Sequence, residues 1–122
     1  MRFQDNSLLK PETVISTLLV EYPDFAKSVD IGEGPYSILG DFAIYLRDGI
    51  KKDTMQTDEL DRVFNFLNEM GASNDLEVQN QLVVGVLEIL ADTDESVSLA
   101  KRSLKGKALE LFERTLSGWN NA

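Results

Sequence analysis

The sequence of 122 residues contains no cysteine and no histidine. Without cysteine, the chain can form neither disulfide bonds nor thiolate metal sites. The absence of histidine excludes Ser–His and Cys–His catalytic arrangements, zinc sites with imidazole ligands and the Glu-x-x-His motif of di-iron bundles. Pairs of carboxylates remain available for catalysis, but acids are so common that no pair stands out. We therefore expect a protein that is not an enzyme and that has no cofactor and no metal.

Long apolar runs are also missing. The longest apolar stretch has about ten residues, half of what a membrane-spanning helix needs. The N-terminal segment "MRFQDNSLLKPET" has no apolar run of signal-peptide length. We therefore expect no membrane association and a cytoplasmic location, which agrees with the lack of cysteine.

Positive charge is scarce, and the negative charge is unevenly distributed. The net charge is −9, and the segment from Asp53 to Glu95 holds eleven acids and one base, Arg62. Nucleic acid is a poor partner for such a chain, because binding it requires a basic face. A protein partner with a basic surface fits better. The basic cluster "KRSLKGK", Lys101 to Lys107, is interpreted as a solvated face or an offset to the acidic segment rather than a phosphate site.

Helical periodicity dominates the chain, and no stretch shows sustained two-residue alternation. We predict a single all-α domain over residues 1–122, with residues 1–9 as a loose N-terminal arm. About six helices are expected, packed as stacked antiparallel hairpins or as an irregular bundle with the 75–91 helix at its centre. They cover roughly residues 11–22, 35–50, 58–70, 75–91, a short helix between Asp92 and Leu104, and 107–117.

Several residues are predicted to set the ends of these helices. Thr57 is expected to cap the third helix, and Gly71 to end it in a left-handed conformation. Asp92 with Glu95 is interpreted as a capping box for the fifth helix. Gly106 is expected to break the chain before the last helix. That helix should pack inward through Leu109, Phe112, Leu116 and Trp119.

Glu88 is the one charged residue between Leu82 and Ala91. On an α-helical wheel of 100° per residue, it falls within roughly 60° of three other polar side chains, which forms a narrow polar seam. The seam is either the solvent edge of a central helix or a contact surface for a partner. Gly85 lies beside it and suits close packing by a neighbouring helix or the approach of a partner. The other seam residues are Glu77, Gln81 and Asp92.

The stretch "DTDES", Asp92 to Ser96, continues the acidic surface beyond this helix. An EF-hand would need Gly and Glu where this chain has Val97 and Ser103, so we do not expect calcium binding. We predict that the carboxylates pair with Lys or Arg on a partner and that Gln81 donates or accepts a hydrogen bond there. The predicted partner-binding residues are Glu77, Gln81, Glu88, Asp92, Asp94 and Glu95.

Three stretches carry a resemblance to a known group of proteins: "YSILGDFAIYLRDGI", "ELDRVFNFLNEM" and "NDLEVQNQLVVGVLEIL". Together they resemble a family of small bacterial all-helical proteins, some of which look like immunity proteins of toxin–immunity systems. The resemblance covers roughly residues 35–114. It implies a binding protein that neutralises a cognate bacterial toxin. Since toxins that act on nucleic acid tend to have basic clefts, the acidic middle segment would be steered to such a cleft.

A second hypothesis is a helical scaffold or self-associating structural protein without a toxin partner. It would use an apolar face around Tyr36, Tyr45 or Trp119. A monomer is the default expectation for the oligomeric state.

Overall fold

Prolines mark the starts of three helices in the structure, a computed structural model that describes residues 9–29 and 31–121. Pro11, Pro23 and Pro35 each occupy the first turn of a helix, where their missing N–H needs no partner. A 3₁₀ turn spans Ile31–Glu33 and a π-helical turn spans Val83–Leu87. The helices are α1 Pro11–Glu21, α2 Pro23–Ala26, α3 Pro35–Lys52, α4 Thr57–Ala72, α5 Leu76–Leu82, α6 Glu88–Leu90, α7 Asp94–Ser103 and α8 Gly106–Asn121.

The prediction of an all-α protein is confirmed, and no strand occurs among the described residues. α1 ends at Glu21, close to the predicted end at residue 22, and Pro23 starts the short helix α2. Most of the predicted N-terminal arm lies outside the described residues, but Leu9 is buried in the core. The side chain of Trp119 also lies outside the described part of the chain.

The core forms where the apolar faces of the helices meet. α3 contributes four large buried side chains at helical spacing, and Phe42 packs against the rings of Tyr22 and Phe25 at centroid distances of 5.3 and 5.2 Å. From α8, Phe112 is fully buried, whereas Leu109 and Leu116 are partly buried against the core. The four large buried side chains of α3 are Ile38, Leu39, Phe42 and Leu46.

α5, the π-helical turn and α6 form one continuous helical rod over residues 76–90, and this rod is central as predicted. Val78, Leu82, Val86, Leu87 and Leu90 in it are fully buried. The rod lies beside α3 and runs in the same direction, because the start of the rod contacts the start of α3 and the end of the rod contacts the end of α3. Near their starts the hydroxyl of Tyr36 donates to Glu77 at 2.6 Å, and near their ends Arg47 pairs with Asp92 at 2.7 Å.

The rod differs from the uniform α-helix that its periodicity predicts. The N–H of Glu88 donates to the carbonyl of Val83, five residues back, which defines the π-helical turn. A π-helical turn holds an extra residue, so side chains after it are rotated by roughly 100° relative to a uniform α-helix. The polar residues before and after Val83–Leu87 therefore face different neighbours.

Two predicted caps are wrong. The N-cap of α4 is Gln56, whose backbone is extended. Thr57 is the first helical residue rather than the cap. The cap of α7 is Thr93, also extended, whose hydroxyl accepts from the N–H of Ser96 at 3.2 Å. Asp92 does not cap this helix. The start of α7 was therefore predicted in the right place, but the predicted capping residue was wrong.

Gly71 lies inside α4 instead of ending it. It does not have the left-handed backbone that the prediction required, and the helix continues to Ala72. Its role is close packing, because a Cβ at this position would come within 2.7 Å of the backbone N and Cα of Ala108 on α8. Gly106, by contrast, has a φ of +58° and is the first residue of α8, directly after the break at residues 104–105, so the predicted break lies next to it.

Candidate protein-binding surface

Gln81 does not lie on an accessible seam, which corrects the prediction for this residue. Its side chain is only 2% exposed, and its Nε2 donates to the carbonyl of Pro11 on α1 at 3.3 Å. Its Oε1 is buried without a hydrogen-bond partner. The residue faces α1 because the rod is covered on that side, so it cannot contact a partner in this conformation.

Glu77 and Asp92 are exposed, but both are bound to α3. The carboxylate of Glu77 accepts from the hydroxyl of Tyr36, which Asn80 also contacts at 2.8 Å. This hydrogen bond to a carboxylate raises the pKa of the Tyr36 hydroxyl, because ionisation would remove the donated proton. Asp92 is held by Arg47. These two acids join the rod to α3 at its two ends.

Glu88 is half-buried and faces α8, not the side occupied by Glu77. It lines an open groove of about 340 Å³ together with Val83 and Arg114. Arg114 pairs with Glu110 one turn earlier in α8. Glu88 therefore reaches solvent as the wheel predicted, but the π-helical turn moves it away from the other seam residues. The remaining lining residues are Leu111, Thr115 and Gly118.

Gly85 faces a neighbouring helix of the same chain, which was one of the two alternatives. A Cβ at this position would lie 2.8 Å from the Cβ of Leu39 on α3. The residue is buried, so its bare backbone is not accessible to a partner.

Asp94 and Glu95 lie together at the start of α7. Both are exposed, and their charges suit the positive end of the helix dipole. They form part of the rim of an open groove of about 540 Å³ between the end of α3, the start of α4 and α7. We call it the α7 groove. Its lining residues are Gly49, Ile50, Asp53, Met55, Leu60, Asp94, Glu95, Ser98, Leu99 and Arg102.

Asp53 completes this rim and was not predicted as a site residue. It ends α3 in the left-handed conformation, with φ 58° and ψ 42°, and its N–H donates to the carbonyl of Ile50 at 3.2 Å. Asp adopts this conformation more readily than most residues, because its short polar side chain can bond locally. The sequence feature that could have drawn attention to Asp53 is its position directly after a helix that ends in two lysines.

The three rim carboxylates have no ion-pair partner within the described ranges, which distinguishes them from Asp92. Below them the wall of the α7 groove is apolar and partly buried, through Ile50, Leu60 and Leu99. In the described part of the chain, no three acidic side chains converge closely enough to hold a metal ion. This arrangement suits a cationic group attached to an apolar stem.

A second open groove, of about 290 Å³, lies on the other side of Met55. We call it the α3 groove. It shares Gly49 and Met55 with the α7 groove, and it adds two acids and Lys52. The linings of the two grooves together contain five acids and two bases, so the surface is acidic. The acids are Asp48, Asp53, Glu59, Asp94 and Glu95, and the bases are Lys52 and Arg102.

Of the side chains that the second hypothesis invokes, Tyr36 and Tyr45 both contact other elements of the chain, and that of Trp119 is outside the described residues. Tyr45 is 36% exposed and packs its ring against Phe25 and Phe42 at 5.7 and 6.1 Å. The hydroxyl of Tyr36 is hydrogen-bonded to Glu77 and Asn80 of α5. The most exposed apolar residues, Val20 and Leu76, lie on α1 and α5. No helix in residues 9–29 and 31–121 is long and apolar enough to cross a membrane.

The chain belongs to the family described as a domain of unknown function, DUF7674, whose sequence profile matches residues 15–120. The match extends from α1 to the end of α8 and so includes both grooves. No curated protein and no solved structure matches the chain.

Proposed function

We propose that this protein is a non-enzymatic binding domain that recognises a basic protein through the acidic surface around the α7 and α3 grooves. The observation that carries the proposal is the set of exposed carboxylates without ion-pair partners, Asp53, Asp94 and Glu95, around an apolar wall. Charges in this position attract an oppositely charged partner over several ångströms and increase its rate of association.

The apolar wall of the α7 groove provides affinity, which the exposed charges alone contribute only weakly. Surface carboxylates contribute little net affinity, because water and salt screen them. Burial of apolar area at the centre of an interface, with polar groups at its rim, is the usual source of affinity. In the α7 groove the rim is formed by acids and the wall by Ile50, Leu60 and Leu99.

Four of the six predicted partner-binding residues take a different place in this proposal. Asp94 and Glu95 remain, and Asp53 joins them. Glu88 would contribute only if the partner also reached the groove beside α8. Glu77 and Asp92 would act indirectly by holding the rod to α3, and Gln81 by packing against α1.

In its more specific form, the proposal is that the protein is an immunity-type inhibitor of a cognate bacterial toxin. The resemblance of residues 35–114 to immunity-like proteins suggests this form. The acidic surface supports it, because a toxin that cleaves nucleic acid needs a basic cleft, which an acidic surface can occlude.

The test uses the product of the gene adjacent to this one as the candidate partner. Stopped-flow association should slow with increasing salt, and Asp94→Lys or Glu95→Lys should reduce the association rate by about tenfold at low ionic strength. Glu113→Lys is the matched control, because it changes the net charge equally at an exposed position of α8. We expect it to change the rate less than about twofold.

Two results would contradict the proposal. Association that is independent of salt and equal in all three variants would exclude recognition through this acidic surface. Concentration-dependent self-association in sedimentation, unaffected by the same charge reversals, would favour a self-associating structural protein.

A further inference from the structure

The α7 groove and the α3 groove adjoin at Met55. Both grooves are lined by Gly49 and Met55. The Met55 side chain lies directly on the bare backbone of Gly49, since a Cβ at position 49 would come within 2.7 Å of both its Cγ and its Sδ. The glycine thus makes room for the methionine side chain.

The Met55 side chain is well suited to move. It is only partly buried, and it belongs to the short connector between α3 and α4, whose other residues, 53, 54 and 56, are exposed. Methionine is unbranched and adapts to irregular spaces at low cost. If it turns away from Gly49, grooves of about 540 and 290 Å³ become one continuous trough across the connector.

The chemistry of this trough restricts what can fill it. Its centre would be apolar, at the place that Met55 leaves and along Ile50 and Leu60. Carboxylates flank the centre on both sides: Asp94 and Glu95 on the α7 side, Asp48 and Glu59 on the α3 side. An acidic segment would be repelled, and a purely polar one would leave the centre unfilled.

We infer that Met55 is a displaceable plug and that the partner inserts an apolar side chain in its place, with Lys or Arg on either side of that side chain. The contacting segment is therefore basic and amphipathic. The inference rests on the proposed function and deepens it by specifying the chemistry of the partner's contact segment.

The experiment uses the full chain with ¹³C-labelled methionine methyl groups and two synthetic peptides as probes. One peptide contains Lys with Leu at helical spacing, and the other has Ser in place of every Leu and the same charge. The Leu peptide should shift the Met55 methyl signal, and the Ser peptide should not. Met70 is fully buried, so its methyl signal is the internal control and should not move.

Met55→Ala removes the plug in advance. Because no side chain then has to be displaced and ordered elsewhere, this variant should bind the Leu peptide about fivefold more tightly. Its affinity for the Ser peptide should be unchanged. Gly49→Ala provides a second variant. Its Cβ would displace the Met55 side chain from the backbone of residue 49 without shortening that side chain.

The possible failures are distinguishable. Equal binding of both peptides, with an unmoved Met55 signal and no gain in Met55→Ala, would overturn the plug while leaving charge-based recognition intact. Failure of the Leu peptide to bind, alongside salt-dependent association of the adjacent gene product, would overturn the inferred segment chemistry alone. If the adjacent gene product also associates independently of salt and of Asp94→Lys, both proposals fail.

Discussion

Gly85 of the π-helical turn lies against Leu39 of α3 so closely that a Cβ at position 85 would come within 2.8 Å of the Leu39 Cβ. The Cβ of a leucine cannot rotate away, because it is attached to the backbone. The contact therefore sets how closely the central rod approaches α3.

We predict that Gly85→Ala lowers the free energy of unfolding by about 1–3 kcal/mol, because overpacking outweighs the better helix propensity of alanine. Gly40→Ala on α3 is the matched control, since a Cβ there meets nothing closer than the Ile89 Cδ1 at 3.7 Å. It should stabilise the protein by about 0.5–1 kcal/mol. Urea denaturation measures both, and equal stability of the two variants would contradict the close contact.

Substitutions of Gln81 test whether this predicted partner-binding residue instead stabilises the fold. Gln81→Met removes the unsatisfied Oε1 but also the hydrogen bond from Nε2 to Pro11. Because these two effects oppose each other, it should change the free energy of unfolding by less than about 1 kcal/mol. Gln81→Glu would place a carboxylate in the same buried position and should be strongly destabilising. If Gln81→Met kept its stability and weakened association with the partner, Gln81 would be a contact residue after all.

Ser96 closes the turn between α6 and α7. It is fully buried, and its hydroxyl donates to the carbonyl of Leu90 at 2.6 Å. Ser96→Ala should lower the free energy of unfolding by about 1–3 kcal/mol, because the buried carbonyl loses its side-chain donor. Ser98→Ala, at an exposed position of the same helix, should stay within about 0.5 kcal/mol of the original protein. Thermal denaturation compares the two, and equal losses would argue against this hydrogen bond.

Tyr22 makes the stability sensitive to alkaline pH. Burial raises the pKa of its hydroxyl from 10.0 to about 12, the Arg62 guanidinium beside the ring opposes the rise, and Glu21, Glu59 and Glu69 add to it. Between these two values the unfolded chain loses the proton while the folded chain keeps it. The stability is therefore complete below about pH 10 and falls as the pH rises towards about 12.

The alkaline loss attributable to Tyr22 should be on the order of 2 kcal/mol. Chemical denaturation from neutral pH to about pH 12 should show a smaller loss in Tyr22→Phe than in the original protein. Tyr45→Phe is the comparison variant, because burial raises the pKa of this more exposed tyrosine as well, and it should reduce the alkaline loss by less than Tyr22→Phe does. A Tyr22→Phe variant with an unchanged alkaline loss would contradict the assignment.

The helices could be predicted because their signals are local. Pro11 and Pro35 mark the starts of two predicted helices, and apolar spacing outlines α3, α4 and α8 within a few residues. The predictions that failed depended on detail within a turn. Whether Asp92 or Thr93 caps α7 depends on which backbone is extended, and the sequence allows both.

The candidate site could be predicted only in part. The location of acids in the middle segment is visible in the composition, and Asp94 and Glu95 are indeed exposed. The polar seam was wrong because a uniform wheel takes no account of the π-helical turn between Gln81 and Glu88. Asp53 was missed because it is far in sequence from Asp94, and only packing brings the two to one groove.

The sequence by itself determined the helical class, the helix starts at Pro11 and Pro35 and the concentration of negative charge, because these depend on residue type and short-range spacing. Only the tertiary structure decided that Gly71 and Gly85 are sites of close packing, that Gln81 is buried and that Met55 lies on Gly49. The physical reason is that such contacts join side chains on different elements. They depend on the approach and rotation of whole helices, which no local pattern encodes.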